Sequence, residues 1–159
     1  GEYMNINIIK VNDKKLAQKA NNYLTKLIRD EKKYDKNINE QCEVTMLYDT
    51  FYENSNVCIL LAQIDNQFVG YLYGYMIDIG DAYLNKKAKL DAMFVDEKYR
   101  NNKVGESLIK EFKLWASKHQ AKYIELTVLN ENKKAIKLYE RNGFKSKKMV
   151  MECTVEELL

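Results

Sequence analysis

The hydrophobic and polar positions of the chain follow two different periods. Six segments alternate polar and apolar residues or run apolar without a break, which predicts strands at residues 5–11, Val57–Ile64, 67–77, Lys87–Val95, 123–129 and 144–153. In four other segments apolar residues recur every three or four positions. This spacing predicts helices that begin after Asn12 or Asp13 and near residues 44, 104 and 132.

The order of these elements predicts the fold class. Asp65 and Asn66 join two strands as a hairpin turn, so the first half of the sheet is antiparallel. Strand–helix–strand units follow, and such units need parallel pairing. We therefore expect an α/β (α+β) fold in which a mixed central sheet carries helices on both faces.

Length and charge narrow the class of protein. The chain has 159 residues, which suits one domain over residues 4–159, with Gly1 to Tyr3 as an added remnant before Met4. Its 26 basic and 23 acidic residues give a net charge of +3 and a pI of about 8.6. This charge is too low for a typical nucleic-acid module, so we expect no nucleic-acid partner. No apolar run approaches the ~20 residues of a membrane span, so we expect no membrane partner.

Cysteine and histidine usage bears on metals and on location. Cys42, Cys58 and Cys153 show no CxxC spacing, and His119 is the single histidine. We therefore expect neither a disulfide framework nor a metal site. The sparse cysteines favour a reducing, cytoplasmic location.

Residues 90–106 form the first candidate site, because an apolar strand there runs through a short polar loop into a helix. The first N–H groups of a helix have no intrahelical partner, and the helix dipole favours an anion beside them. Arg100 and Lys103 add positive charge, and Gly105 lets a ligand approach the backbone. Most joints of this kind bind nothing, so this pattern alone does not assign a phosphate site.

Asn132 and Tyr139 form the second candidate site. They are seven residues apart and so lie on one face of a helix, two turns from each other. Asn132 offers an amide donor and acceptor, and Tyr139 offers a phenol. The alternative is that Asn132 caps the helix and Tyr139 packs on the sheet.

Together the two segments resemble the GNAT superfamily of N-acetyltransferases. That family carries Arg/Gln-x-x-Gly-x-Gly/Ala between its fourth strand and third helix, and Asn-x-x-Ala-x-x-Leu-Tyr followed by Gly-Phe near its C-terminus. The residues that match or occupy these positions are Arg100, Asn101, Asn102, Lys103, Val104 and Gly105, then Asn132, Ala135, Leu138, Tyr139, Gly143 and Phe144. The resemblance extends from about Asn5 to Cys153 and implies a sheet of about six or seven strands flanked by about four helices.

Lys103 is a departure, because the family has its first glycine there. A lysine fits this position if its φ is negative, and its ammonium group can offset phosphate charge. A lysine there can also weaken the site.

The resemblance implies acetyl-CoA as co-substrate, no metal, and direct transfer of the acetyl group to an amine. A backbone N–H near Phe94 or Val95 would face the thioester oxygen, Asn132 would bind the cofactor arm, and Tyr139 would protonate the leaving thiolate. The cofactor-binding residues that it implies are Met93, Phe94, Val95, Arg100, Asn101, Asn102, Lys103, Val104, Gly105, Glu106 and Asn132.

The same resemblance suggests Asp91 as the general base. Polyamine acetyltransferases place an acid four residues before the Val of their Phe-Val pair, and Asp91 holds that position. Ribosomal-protein acetyltransferases place a glutamate five residues before the Asn of the second motif, where this chain has Thr127. A structural role for Asp91 in its strand is the alternative.

The expected acceptor is a primary amine on a small molecule, such as a polyamine, an aminoglycoside or an amino-acid derivative. Acidic residues at 30, 31, 35, 78 and 81 are candidates to attract it, or are solvated loop charges. One face of the strand predicted over residues 67–77 carries Tyr71, Tyr73 and Tyr75. These tyrosines either line an acceptor pocket or pack in the core. The alternatives are a protein or peptide N-acetyltransferase and a non-catalytic CoA-binding module. For the assembly, we expect either a monomer or a homodimer.

Overall fold

The computed structural model describes residues 5–158. Five strands are present in this part of the chain: β1 Ile6–Lys10, β2 Val57–Ile64, β3 Gln67–Met76, β4 Lys87–Val95 and β5 Tyr123–Glu125. Three α-helices accompany them: α1 Lys14–Glu31, α2 Val104–Lys118 and α3 Lys133–Arg141. Short 3-10 helices lie at Tyr48–Thr50, Glu97–Tyr99 and Val155–Leu158.

The strands form one mixed sheet in the order β1-β2-β3-β4-β5. The first four strands are antiparallel, and β5 runs parallel to β4. One apolar cluster joins α2 and α3 to one face of the sheet, and a second cluster joins α1 to the other face. The predicted mixed α/β class is confirmed, although the described residues hold five strands and three α-helices, fewer than expected.

Local geometry explains two details of the sheet. Asp65 and Asn66 both have positive φ, 51° and 65°, as a two-residue hairpin turn between twisted strands requires. A β-bulge interrupts the pairing of β3 with β4, because Tyr73 pairs with Ala92 while Gly74 pairs with Leu90. Asp91 is the extra residue of this bulge and has no paired residue on β3.

The helix predicted near residue 44 is wrong, and the buried side chain of Asn21 on α1 gives the reason. Its amide nitrogen donates to the carbonyl of Thr45 at 3.2 Å and to the carboxylate of Asp49 at 2.7 Å, and its oxygen accepts from the N–H of Tyr48 at 2.9 Å. These bonds replace the i to i−4 ladder of a helix. Only the 3-10 turn Tyr48–Thr50 remains, and Tyr48 is fully buried.

The C-terminal part of the sheet also differs from expectation. The strand predicted over residues 123–129 pairs only at Tyr123–Glu125, and the one predicted over residues 144–153 is absent from the described part of the chain. Residues 145–154 instead have no regular secondary structure, Val155–Leu158 form a 3-10 helix, and residues 145–156 are exposed. No helix among residues 5–158 is long and apolar enough to cross a bilayer.

Candidate functional site

The two parallel strands at the centre of the site separate after a short contact. Strand β5 pairs with β4 only at Lys87–Lys89, so the rest of β4 has a free edge on that side. The N–H of Asp96 donates to the carbonyl of Val69 at 2.8 Å, and antiparallel alternation then directs the N–H groups of Met93 and Val95 into the gap. The N–H of Phe94 turns toward β3, so of the two positions predicted for an oxygen-binding N–H, only Val95 faces the gap.

Arg100 fixes the loop that follows β4. Its Nε donates to the carbonyl of Val95 at 2.8 Å, and its guanidinium lies 5.1 Å from the ring centroid of Phe94. The two terminal guanidinium nitrogens make no hydrogen bond to the described residues. Arg100 therefore holds the loop against the end of the strand while its remaining donors stay available.

The N-terminus of α2 presents unpaired backbone donors beside this loop. Lys103 is the N-cap residue, and its side chain makes no capping hydrogen bond. Its carbonyl accepts from the N–H of Ser107 at 3.0 Å, which leaves the N–H groups of Val104, Gly105 and Glu106 without intrahelical partners. Such a cluster of N–H groups at a helix start favours a phosphate or another anion.

Lys103 does not meet the condition under which a lysine was expected to fit. Its φ is +66° and its ψ is 14°, in the left-handed region that favours glycine. Asn101 has the same φ, and the amide nitrogen of Asn102 donates to the carbonyl of Arg100 at 3.1 Å. The loop thus keeps the backbone path that glycine would adopt and holds a lysine in it at some cost in strain.

We expect Lys103→Gly to raise the free energy of unfolding by about 0.5–1 kcal/mol, since glycine removes the left-handed strain. Acetyl-CoA affinity should be unchanged or higher. Urea unfolding and calorimetric titration measure the two quantities. Lys98→Gly is the matched control, because Lys98 is exposed and helical in Glu97–Tyr99 and its replacement should only destabilise. A loss of stability in Lys103→Gly, or a tenfold loss of affinity, would contradict the expectation.

Helix packing, as well as the approach of a ligand, explains why position 105 is a glycine. A Cβ built on Gly105 would lie 3.0 Å from a terminal methyl of Leu138 on α3 and 3.7 Å from the end of Met93 on β4. The missing side chain therefore lets α2 sit close to α3. A salt bridge adds a second contact between these two helices, because the guanidinium of Arg141 donates to the carboxylate of Glu106 at 3.1 Å.

Tyr139 lies on α3, and Asn132 is the N-cap residue of that helix, as one of the two interpretations of the sequence predicted. Its Oδ1 accepts from the N–H of Ala135 at 3.2 Å, while its Nδ2 has no acceptor among the described side chains and backbone. The Nδ2 group of Asn132 is therefore free to donate to a ligand.

Tyr139 is partly buried and packs edge-on against Phe144, with ring centroids 5.7 Å apart. Its hydroxyl makes no hydrogen bond to a described residue. Burial, with a smaller contribution from the charge of Glu31, raises the pKa of Tyr139 to about 12. The phenol therefore carries its proton at neutral pH.

Asp91 faces the α1 side of the sheet and is exposed. Its charge contributes to the raised pKa values of Tyr48, Tyr71 and Tyr73, whose largest cause in each case is burial. Asp91 is also near Glu31, the last residue of α1. Burial first, and then the charges of Asp30, Asp35 and Asp91, raise the pKa of the Glu31 carboxyl.

The acidic residues and tyrosines named from the sequence thus divide into two groups. Asp30, Asp35 and Asp91 each lie near Glu31, whereas Asp78 and Asp81 are exposed in the loop before β4. Tyr71 is fully buried and belongs to the core, while Tyr73 and Tyr75 are partly exposed, with ring centroids 5.7 Å apart and ring planes tilted by 40°.

Sequence reasoning missed two features of the site. The proximity of Glu31 to both Asp91 and Tyr139 joins residues from three separate elements, and no local pattern contains it. The second is the bulge that releases Asp91 from β-pairing. An aspartate in the middle of an apolar strand was the one available signal for the bulge.

Comparisons with known proteins agree with this geometry. Residues 23–144 match the model of the Acetyltransferase (GNAT) family. The chain is 30% identical over 82 residues to a spermine/spermidine N(1)-acetyltransferase of Bacillus subtilis, a match that covers 50% of this chain and 54% of that protein. It is 38% identical over 63 residues to an uncharacterized N-acetyltransferase of Methanocaldococcus jannaschii, covering 40% of this chain and 28% of that one. The matches thus span about half or less of these curated relatives.

Solved structures share the fold at low sequence identity. A Bacillus halodurans protein superposes with a TM-score of 0.78 at 18% identity, over 94% of this chain and 99% of that chain. An aminoglycoside acetyltransferase from an uncultured soil metagenomic sample gives 0.72 at 17% identity, over 96% and 99%. The acetyltransferase AAC(6')-Iy, in complex with a CoA-linked bisubstrate analog, gives 0.69 at 16% identity, over 94% and 97%.

Proposed function

The chain belongs to the Acetyltransferase (GNAT) family, and from this premise we propose that it transfers the acetyl group of acetyl-CoA to a primary amine of a small molecule. One observation carries the proposal. The gap between β4 and β5 opens beside the unpaired N–H groups that begin α2, so a free strand edge and an anion site adjoin each other. An elongated ligand with a phosphate group and a polar arm fits that pair of features.

Different groups of the chain bind different parts of acetyl-CoA, which supplies the acetyl group and a thiolate leaving group. Backbone N–H groups of residues 101–106, that of Lys103 included, bind the pyrophosphate together with the side chain of Arg100. The free edge of Met93 to Val95 pairs with the amides of the pantetheine arm, and Nδ2 of Asn132 donates to the same arm. The N–H of Val95 donates to the thioester oxygen as negative charge develops there.

Two proton transfers accompany the making of the C–N bond and the breaking of the C–S bond. The amine nitrogen attacks the carbonyl carbon, the C–N bond forms and the C–S bond breaks, and the amine loses a proton. Asp91, directly or through water, accepts that proton. The hydroxyl of Tyr139 donates a proton to the leaving sulfur, and its raised pKa keeps it protonated until then.

The acidic group formed by Asp30, Glu31, Asp35 and Asp91 supports a cationic acceptor. Burial first, and then the charges of Asp30, Asp35 and Asp91, raise the pKa of the Glu31 carboxyl, and a bound cation relieves the repulsion of those charges. The names of the relatives agree with this chemistry, because one acts on spermine and spermidine and two structural neighbours are aminoglycoside acetyltransferases. We therefore propose a small polycationic amine as the acceptor.

A thiol-release assay with acetyl-CoA and a panel of amines tests the proposed function. Polyamines, aminoglycosides and amino-acid derivatives form one half of the panel, and peptides with a free N-terminus or lysine form the other. We expect transfer to small polycationic amines, with the acetylated product identified by mass. Transfer to peptides alone would overturn the acceptor class. Binding of acetyl-CoA without transfer to any amine would favour a non-catalytic CoA-binding module.

A further inference from the structure

Two lysines share the sheet face on which Asp91 lies. Ala88 and Leu90 belong to the apolar cluster that joins α2 to the sheet. Alternation along β4 therefore directs Lys87 and Lys89 to the opposite face, on the side of α1, which Asp91 also faces. Lys89 and Asp91 are two positions apart on this strand, so their Cα atoms lie about 7 Å from each other.

Only one of these two lysines has a carboxylate partner. The ammonium group of Lys87 lies 3.7 Å from the carboxylate of Glu125 and 4.4 Å from the ring centroid of Tyr83, and this side chain is 8% exposed. Lys89 is partly exposed and makes no ion pair within residues 5–158. The start of β4 thus presents an unpaired positive charge beside Asp91.

The end of α1 presents the opposite charge. Asp30 is paired with Lys33 at 3.2 Å, whereas Glu31 and Asp35 make no ion pair in the part of the chain that the structure describes. Asp91 lies near Glu31, because its charge contributes, after burial and the charges of Asp30 and Asp35, to the raised pKa of that carboxyl. Asp91 therefore has an unpaired lysine as a neighbour on its own strand and an unpaired carboxylate as a neighbour from α1.

We propose that Lys89 determines which amines the site accepts, because it repels positive charge over the start of β4. An acceptor bound at Asp91 must then place its other ammonium groups toward Glu31 and Asp35. A linear diamine meets this condition, since its second ammonium group can point away from Lys89. A polycation on rigid rings spreads its charges in several directions and brings one of them over Lys89, where like charges repel. The inference rests on the proposed function and narrows its acceptor to linear amines.

Calorimetric titration of the chain with putrescine, a linear diamine, and with neamine, a two-ring aminoglycoside, tests this role without any turnover. We expect wild type to bind putrescine more tightly, and Lys89→Gln to shift the ratio of the two Kd values about tenfold toward neamine at low salt. Added salt should shrink the shift. Lys86→Gln is the matched control, because the ammonium group of Lys86 donates to Gln120 beyond the end of α2, at 3.4 Å, and it should leave the ratio unchanged. An unchanged ratio in Lys89→Gln, or an equal shift in the control, would overturn the proposal.

Thiol release from acetyl-CoA with the same two amines separates a failure of this inference from a failure of the proposed function. We expect wild type to release thiol with putrescine and Lys89→Gln to gain activity with neamine, mainly through a lower KM. Release by wild type with no gain for neamine in Lys89→Gln would overturn the role of Lys89 and leave acetyl transfer supported. Binding that depends on Lys89 without any thiol release would overturn acetyl transfer and support the charge selectivity of the site.

Discussion

Tyr139→Phe is expected to lower kcat at least about 100-fold while leaving acetyl-CoA affinity nearly unchanged. General acid catalysis contributes about 10²–10⁴-fold to rate, and the variant removes the donor without changing the ring. The ring is held by its edge-on packing against Phe144, so phenylalanine keeps its position. The hydroxyl makes no hydrogen bond to the described residues, so its loss leaves no partner unsatisfied.

Steady-state thiol release gives kcat for this variant, and calorimetric titration gives the acetyl-CoA affinity. Tyr52→Phe is the matched control, because Tyr52 lies near Asp13 at the opposite end of α1 from Glu31. The 18 residues of α1 separate those two ends by about 27 Å. We expect the control to match wild type in both quantities. Equal kcat values for Tyr139→Phe and wild type would show that Tyr139 is not the acid.

Asp91→Asn is expected to lower kcat/KM about 100-fold or more at pH 7, with the loss shrinking as pH rises. For an amine with the usual pKa of about 10.4, pH 7 lies about 3.4 units below the pKa, so forming the neutral amine costs about 4.6 kcal/mol. A general base supplies part of that cost. Above the pKa of the amine no base is needed, so the variant and wild-type profiles should converge there.

Two further variants separate a base from a charge that only attracts the acceptor. Glu31→Gln removes a neighbouring carboxylate whose raised pKa arises from burial and from adjacent acids, and it should mainly raise KM for a cationic amine. Glu53→Gln removes an exposed carboxylate beside Tyr52 and should change neither parameter. A ratio of wild-type to Asp91→Asn activity that stays constant across pH would exclude Asp91 as the base.

The sequence predicted the parts of the fold in which one period governs a whole element. Strands Val57–Ile64 and Lys87–Val95 and the hairpin at Asp65-Asn66 follow directly from alternation and turn chemistry. The expected helix near Tyr48 failed, because the buried amide of Asn21 binds that backbone from a different helix. A tertiary contact of this kind leaves no mark on the local hydrophobic pattern.

The site was predictable wherever a motif sets the backbone, and less so where separate elements meet. The run from Arg100 to Gly105 predicted a helix start that the structure has at Val104, and the spacing of Asn132 from Tyr139 predicted the helix that it has at Lys133–Arg141. The binding and catalytic roles of these residues stay predictions. The positive φ of Lys103 was not predictable, because lysine avoids that region and only the loop path imposes it. The proximity of Glu31 to Asp91 depends on how α1 crosses the sheet, which side-chain periods do not encode.

Calorimetric titration of the wild-type chain with acetyl-CoA tests the central claim most directly, because every proposed step needs that ligand in the gap beside α2. We predict one-to-one binding, together with stabilisation of the fold by about 2.7 kcal/mol at a ligand concentration 100 times the Kd. The absence of binding heat and of any rise in Tm at millimolar acetyl-CoA would contradict the account. The fold would then be one that has kept the family architecture without its co-substrate.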